Sequence, residues 1–355
     1  MYQQFNRQTT KAGTLSIDAT GSIVKKIKKP DGSTNVLFLY QAVVPFKTKI
    51  LPVLQMISEK HDTNILTYWL REWLRSGAIC PKEVVTDYPF ALLNAVALAF
   101  NNCDLSMYVE NCLKILQNND RNIPKCIIRI DIAHLIKLIC RWKCFNDKHS
   151  RIKDFYVRCV GILSKTTTFD HFNRLCLDIL TVAFSETDTN DDTITCFIAQ
   201  QRLQIIKTHD FQHYDESTNE YLEEILDYES GNCMSRFLCD LEINSKKVIN
   251  SGDRLNPYYC QSFGTSLLRL LKEFPLWTAV MTPDKTSVAS SARSEQYFNE
   301  IKNLIFKGTK NICVDKFLIS HIRSLEGTTK ILNADNITIL SDKTDEVSND
   351  NETDY

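Results

Sequence analysis

The first sixty residues concentrate β-forming apolar side chains in three short stretches. Residues 14–24, 35–44 and 49–58 each carry the Val, Ile, Leu and aromatic residues that favour strands. Between the first two stretches, Pro30-Asp31-Gly32 predicts a tight turn. Pro52 predicts that the third strand lies at a sheet edge or carries a bulge. We therefore expect a three-stranded antiparallel meander.

The apolar period then changes from that of a strand to that of a helix. Asp62 and Thr63 offer a helix N-cap, the apolar residues of 65–74 repeat at helical spacing, and Gly77 ends the pattern. A short strand over 80–87 follows and ends in Asp87, directly before a predicted helix over 90–100. If the intervening helix is a crossover, this strand runs parallel to the first one.

From about residue 135 to residue 261 the pattern is helical. Apolar residues repeat at i, i+3 and i+4 in five segments with no repeat period between them. The predicted helices cover 135–144, 153–163, 169–184, 193–206 and 221–226. The polar run 185–192 predicts a loop. The chain is therefore of the α/β class, with a mixed sheet and a large helical region.

Length and composition narrow the class of protein. At 355 residues the chain predicts one large module or two fused ones. No apolar run reaches the roughly 18 residues of a membrane span, and the polar start has no signal-peptide core, so we expect a soluble intracellular chain without membrane contact. Thirteen scattered cysteines without a Cys-x-x-Cys pair predict reduced, mostly buried thiols.

The net charge of −1 is unevenly distributed. Residues 341–355 carry six acids and one lysine, a net of −5, so the rest of the chain carries +4. A mildly basic body allows a polyanionic partner without requiring one. The acidic stretch, poor in aromatic residues, predicts disorder.

Asp18 is the first candidate for chemistry, because it lies among apolar residues of the first strand. A carboxylate in a buried strand costs several kcal/mol unless it is paired or bound to a metal. The alternative is an aspartate at the strand end that caps the turn at Gly21. If the first strand and the 80–87 strand are neighbours, Asp18 and Asp87 lie on adjacent strands.

The segments LSIDATG and EVVTDYPFALLNAV resemble the ribonuclease H-like catalytic core of DDE transposases, most closely the Mutator-like group and its eukaryotic relatives. In that group the second aspartate follows a threonine at a strand end before a helix, as Thr86 and Asp87 do here. The resemblance implies a helical insertion between the second and third acids. It also implies a DNA-recognition module before the core, which this chain lacks if it is complete.

A Cys-x-x-His pair of the same group has its counterpart in Asp131 and His134, where aspartate replaces cysteine. Three residues of spacing place both side chains on one helix face. His134 then either meets a phosphate or orders a catalytic aspartate, or the two residues form a hydrogen-bonded pair that fixes the helix start. The family's third acid matches Glu295 in the segment SSARSEQYFNEIK, with Glu300 as the competing residue.

The resemblance implies that Asp18, Asp87 and Glu295 are catalytic and bind Mg²⁺ or Mn²⁺, as in two-metal phosphoryl transfer. His134 and the basic turn with Lys25, Lys26 and Lys28 are candidate contacts to DNA, although a solvated turn is the commoner use of such lysines. The predicted segments of the chain are a first core segment 1–134, a helical insertion 135–275, a return to the core 276–330 and an acidic tail 331–355.

The predicted function is cleavage and transfer of DNA strands by a transposon-derived enzyme in the nucleus. Its predicted partners are transposon ends and target DNA. The sequence allows a homo-oligomer without requiring one. Two alternatives remain at this stage. One is a decayed or domesticated relative that binds DNA or protein without catalysis, and the other is a helical interaction scaffold.

Overall fold

A computed structural model describes residues 14–21, 23–46, 49–118, 123–146, 148, 150–188, 195–204, 232–247, 252–282, 288–309 and 312–348. The chain forms two compact units. The first unit combines Ile17–His61 with the chain from Ala292 onward. The second combines Asp62–Ser291 with the start of the first strand, up to Ser16.

Strands and a hairpin open the first unit, largely as the apolar pattern predicts. Strand β1 spans Thr14–Thr20, β2 spans Ile27–Lys28, β3 spans Thr34–Asn35, β4 spans Phe38–Phe46 and β5 spans Lys49–Ser58. The predicted turn joins β2 and β3, which pair antiparallel, and Gly32 at its tip has φ +81°. Because that backbone conformation lies in the left-handed region, glycine suits the position.

β4 and β5 form the long antiparallel pair of this unit. Phe38 pairs with Ser58 at one end and Phe46 with Lys49 at the other, with a register shift between Ala42 and Val43. Opposite the shift the partner residue changes from Leu54 to Pro52, so an extra residue of β5 bulges there. β5 is the outermost strand of the sheet, which confirms both parts of the prediction from Pro52.

A helix packs on this pair to form the core of the first unit. Helix α11, Ala292–Glu300, continues as a π-helical turn over Ile301–Ile305. Its Tyr297 and Phe298 are buried against Leu39 and Val43 of β4, with Phe317 from the following helix in the same cluster. Tyr297 and Phe298 therefore hold the helix on the sheet.

The last helix of the first unit, α12, spans Val314–Ser348. It runs through residue 330, the predicted end of the core, and through most of the stretch predicted as a disordered tail. Apolar residues recur in the sequence of this stretch, among them Ile337, Ile339 and Leu340, and no proline interrupts it. Residues 349–355 of the predicted tail lie outside the described residues.

The second unit begins with alternating helices and strands. It contains α1 (Thr63–Arg75), β6 (Glu83–Thr86), α2 (Phe90–Val96), α3 (Leu105–Asn118), β7 (Ile127–Ile130) and α4 (Ile132–Cys140). Asp62 caps α1 by accepting a hydrogen bond from the Ile65 amide at 3.0 Å, and Gly77 follows its end with φ +92°. α2 continues as a π-helical turn over Ala97–Asn101. The β7 strand is absent from the sequence prediction.

The rest of the second unit is helical apart from one short ribbon. Its helices are α5 (Ser150–Ser164), α6 (Phe169–Phe184), α7 (Thr195–Gln204), α8 (Cys233–Lys247), α9 (Gln261–Leu270) and α10 (Phe274–Trp277). β8 (Thr187–Asp188) pairs antiparallel with β9 (Arg254–Leu255). The ribbon, held by an ion pair between Arg254 and the buried Asp188 at 3.0 Å, corrects the prediction of an all-helical segment and of a loop over 185–192. The predicted helix 221–226 lies outside the described residues.

β1 contributes to both units. Within the first unit the strand order is β5-β4-β1, and within the second it is β1-β6-β7. β4 and β5 are antiparallel, whereas β6 and β7 are parallel. The predicted adjacency of the first strand and the strand before Asp87 is therefore present, and the α/β class is confirmed.

Two further features concern the chain as a whole. All thirteen cysteines are free thiols, of which six are buried, five are partly buried and two are exposed, so the expectation of mostly buried thiols is wrong. Among the described helices, none is by itself long and apolar enough to cross a membrane. The segments Phe90–Asn101 and Leu105–Asn118 meet the length and composition criteria only together, as a pair bent by 65°.

Candidate functional site

Two aspartates follow the two parallel strands of the second unit. In the register of β6 and β7, Thr86 lies opposite Ile130, so each strand is followed directly by an aspartate, Asp87 or Asp131. The Asp131 amide donates to the Thr86 carbonyl at 2.9 Å, which continues the strand pairing by one residue. The carboxyl ends of parallel strands meet at one sheet edge, which is where α/β proteins commonly place their sites.

Asp131 is fixed by the start of helix α4. Its Oδ1 accepts from the His134 amide at 2.9 Å, which caps the helix, and its Oδ2 accepts from the Ser291 amide at 2.5 Å. Burial raises the pKa of this carboxyl, but the hydrogen bonds from His134 and Ser291 outweigh it and lower the pKa to about 2. Asp131 is thus an ionised and structurally constrained carboxylate.

His134 lies between the two aspartates. Its Nδ1 is 3.1 Å from Asp87 Oδ1 and 3.3 Å from Asp131 Oδ1. The imidazole is partly exposed, with 29% of its side chain accessible, compared with 3% for Asp131. The hydrogen-bonded pair at the helix start is therefore observed, and the same imidazole also contacts Asp87.

Ser291 joins the two aspartates from the other side. Its hydroxyl donates to Asp87 Oδ1 at 3.1 Å, while its amide donates to Asp131. Ser291 is fully buried, and the nearby Ile132 amide donates to the Ala289 carbonyl at 3.3 Å. The chain just before helix α11 is thus bonded to the start of helix α4.

A buried ion pair stabilises the strands that carry the aspartates. Arg129 of β7 is 2% exposed and lies 3.1 Å from Glu83 of β6. Thr14 of β1 donates its hydroxyl to the same carboxylate at 2.7 Å. Because removing one partner of a buried pair leaves a desolvated charge, the loss of Arg129 or Glu83 alone would destabilise this strand pairing.

The other predicted site residues lie in the first unit. Asp18 of β1 is 8% exposed, and its Oδ1 accepts from the Ala19 amide at 2.6 Å. Glu295, in the first turn of α11, is exposed, as is Glu300. Asp18 and Glu295 belong to the first unit and Asp87 to the second, so their convergence on a metal stays a prediction.

The basic hairpin also belongs to the first unit. Lys25 and Lys26 precede β2, Lys28 ends it, and all three side chains are exposed to solvent. Lys29 pairs with Glu59 at 3.1 Å. This exposure is compatible both with contacts to DNA phosphates and with an ordinary solvated turn.

Sequence reasoning missed two members of this site, β7 and Ser291. The run Ile127–Ile130 before Asp131 repeats the pattern of Val84, Val85 and Thr86 before Asp87, and this signal could have identified the strand. Ser291 carries no such signal, because it reaches the aspartates across 160 residues or more. Within the described ranges, no group of three or more His, Cys, Asp or Glu side chains is arranged to hold a metal ion.

The sequence of this chain is similar to that of a protein from a transposable element. It is 36% identical over 347 residues to the 120.7 kDa protein in the NOF-FB transposable element of Drosophila melanogaster. The match covers 89% of this chain and 31% of that protein, so the chain spans about a third of its relative's length. The chain is thus related to a transposable-element protein.

No family model matches the chain. Among solved structures, the Drosophila P element transposase strand transfer complex aligns with a TM-score of 0.31 and 14% sequence identity, over 87% of this chain and 75% of that one.

Proposed function

We propose that this chain is the catalytic region of a transposase-type enzyme that cleaves and joins DNA strands with the help of Mg²⁺ or Mn²⁺. The observation that carries the proposal is the Asp87 carboxylate, held at the carboxyl end of β6 by His134 and Ser291. Similarity over nearly the whole chain to a transposable-element protein supports the same reading. DNA as the substrate implies action in the nucleus.

The donor chemistry of the proposed ligands fits a hard divalent cation. Asp18 and Glu295 in the first unit and Asp87 in the second offer only carboxylate oxygens, which Mg²⁺ and Mn²⁺ prefer. Asp18 is almost buried in its strand, an environment that favours a charge-compensated carboxylate. When bound, the metal ions would activate the attacking oxygen and stabilise the leaving oxygen of the phosphodiester.

The chain's own residues would hold and orient the reacting groups. His134 and Ser291 restrict the rotation of the Asp87 carboxylate, since both contact its Oδ1 atom. The ionised Asp131 fixes the position of His134 through the helix cap. The exposed lysines of the hairpin would contact phosphates of the DNA backbone, which sets position rather than sequence preference.

Calorimetric titration of Mn²⁺ into the full chain tests this proposal. We expect saturable binding that Asp87→Asn, Asp18→Asn and Glu295→Gln each weaken by at least tenfold, because each removes a ligand charge. Cleavage of a labelled DNA duplex in Mn²⁺ should fall in the same variants. Metal binding is the primary measurement, because it tests the proposed ligands directly.

Two matched variants serve as controls. Glu300→Gln changes an exposed acid on the same helix as Glu295, and Asp31→Asn changes an exposed acid in the hairpin turn. Both should bind Mn²⁺ like the wild type. If the wild-type chain binds no Mn²⁺, even with DNA present, metal-dependent catalysis is excluded. That result would favour a decayed or domesticated binding module.

A further inference from the structure

Ser291 makes two hydrogen bonds with different consequences. Its backbone amide donates to Asp131 Oδ2, and its hydroxyl donates to Asp87 Oδ1 at 3.1 Å. The first bond depends on the backbone alone, so almost any residue at this position would make it. The second bond requires a short side chain with a hydroxyl group.

The backbone bond attaches Ser291 to a rigid part of the second unit. Asp131 caps helix α4 through the His134 amide at 2.9 Å and continues the pairing of β6 and β7 through Thr86. The Ile132 amide adds a bond to the Ala289 carbonyl at 3.3 Å. The Ser291 hydroxyl is therefore presented to Asp87 from a fixed backbone rather than from a mobile loop.

Burial makes the hydroxyl bond effective. Ser291 has no accessible surface, so water does not compete for its hydroxyl as it would at the protein surface. Asp87 retains 21% accessibility of its side chain, so its carboxylate can be reached from solvent. His134 Nδ1 contacts the same Oδ1 atom at 3.1 Å. Two neighbours thus fix one carboxylate oxygen, and with it the rotation of the group.

From this geometry we propose that Ser291 is a positioning residue for the Asp87 carboxylate as a metal ligand, an inference that rests on the function proposed above. Groups that form hydrogen bonds to a metal ligand and orient it, without touching the metal, typically contribute ten- to a hundredfold to metal affinity. Ser291 performs this role with a neutral donor, which adds no charge that would repel a cation. It also directly precedes α11, the helix that carries Glu295.

Ser291→Ala in the full chain tests the inference, because it removes the hydroxyl and keeps the amide that bonds to Asp131. We expect Mn²⁺ affinity, measured by calorimetry and by the Mn²⁺ electron paramagnetic resonance signal, to fall about tenfold. The thermal unfolding midpoint without metal serves as the check on the fold. Ser290→Ala, a change of the exposed neighbouring serine, should bind Mn²⁺ within about twofold of the wild type.

The outcomes separate this inference from the proposed function. No Mn²⁺ binding by the wild type would overturn both. Binding that Asp87→Asn removes and Ser291→Ala leaves unchanged would overturn the role of Ser291 alone. If Ser291→Ala does not fold, Ser291→Thr replaces it as the test, because threonine retains the hydroxyl. Mn²⁺ affinity within about twofold of the wild type then supports the inference. A tenfold loss of affinity contradicts it.

Discussion

Asp131 shows how one residue links the fold to the chemistry of the candidate site. Its carboxylate accepts hydrogen bonds from two backbone amides and lies 3.3 Å from the His134 ring nitrogen. These contacts lower its pKa from the ordinary 3.8 to about 2 despite burial. A lowered carboxyl pKa in the folded state means that the ionised form stabilises the fold.

The pH dependence of stability follows from that shift. The contribution of Asp131 is complete above about pH 4 and is lost as the pH falls through about 2. We expect Asp131→Asn to lower the free energy of unfolding by about 2 kcal/mol near pH 6, a figure that the shift implies at about 1.4 kcal/mol per pKa unit. Asparagine keeps one oxygen that can cap the helix, but its NH2 group cannot accept the second backbone hydrogen bond, so the change removes the charge and one of the two bonds.

Urea denaturation of the wild type and Asp131→Asn at several pH values between 2 and 6, without metal, checks this expectation. The two stability curves should approach each other as the pH falls. A difference that stays constant over this range would mean that the charge of Asp131 does not stabilise the fold and that its role is limited to its two hydrogen bonds.

At the scale of elements, the sequence predicts those structures whose signals are local. The turn at Gly32, the bulge opposite Pro52 and the N-cap at Asp62 each depend on a few neighbouring residues, and all three are observed. Asp18 and Asp87 could be singled out for a similar reason, since each interrupts or ends an apolar run. β7 is only four residues long and buried throughout, so it has no alternating pattern, and only its likeness to the apolar run before Asp87 indicates a strand.

Contacts between distant segments are beyond such reasoning. The Ser291 bonds to Asp87 and Asp131 depend on how the chain returns after the helical segment, and no local pattern encodes that return. The close approach of helices α6 and α9 is another example. A Cβ atom on Gly264 of α9 would lie 2.6 Å from Phe184 Cε1 at the end of α6, closer than packed side chains come.

Gly264→Ala therefore gives a prediction at this scale. We expect the variant to lose about 1–3 kcal/mol of unfolding free energy, because overpacking outweighs the better helix propensity of alanine. Gly327→Ala in helix α12 is the control, since a Cβ there meets nothing within 4 Å. It should gain about 0.5–1 kcal/mol. Chemical denaturation of both variants measures the difference, and equal effects would contradict the close packing of α6 and α9.

At the scale of the whole molecule, the net charge determines how strongly the chain is attracted to its proposed substrate, DNA. A net charge of −1 provides little general attraction to DNA, so binding would depend on local basic groups. The hairpin of β2 and β3 presents Lys25, Lys26 and Lys28 to solvent within four residues. If this surface contacts phosphates, it should account for a measurable part of the salt dependence of binding.

Replacing these three lysines by glutamine tests that expectation. Each lost phosphate contact reduces the slope of log K against log salt by about 0.9, so the triple variant should flatten the slope by up to about 3 and weaken binding most at low salt. Titration of a labelled short DNA duplex at several salt concentrations gives both values. The triple change of Lys114, Lys246 and Lys247 to glutamine is the control, because it alters exposed lysines of the other unit.

Both triple variants lower the net charge from −1 to −4, so a general effect of charge would change them equally. A flatter slope in the hairpin variant alone would identify the hairpin as a DNA-contacting surface. Equal changes in both would mean that the hairpin is an ordinary solvated turn. In that case DNA contacts would have to come from other basic side chains, and the hairpin would give no guide to how DNA approaches the proposed metal ligands.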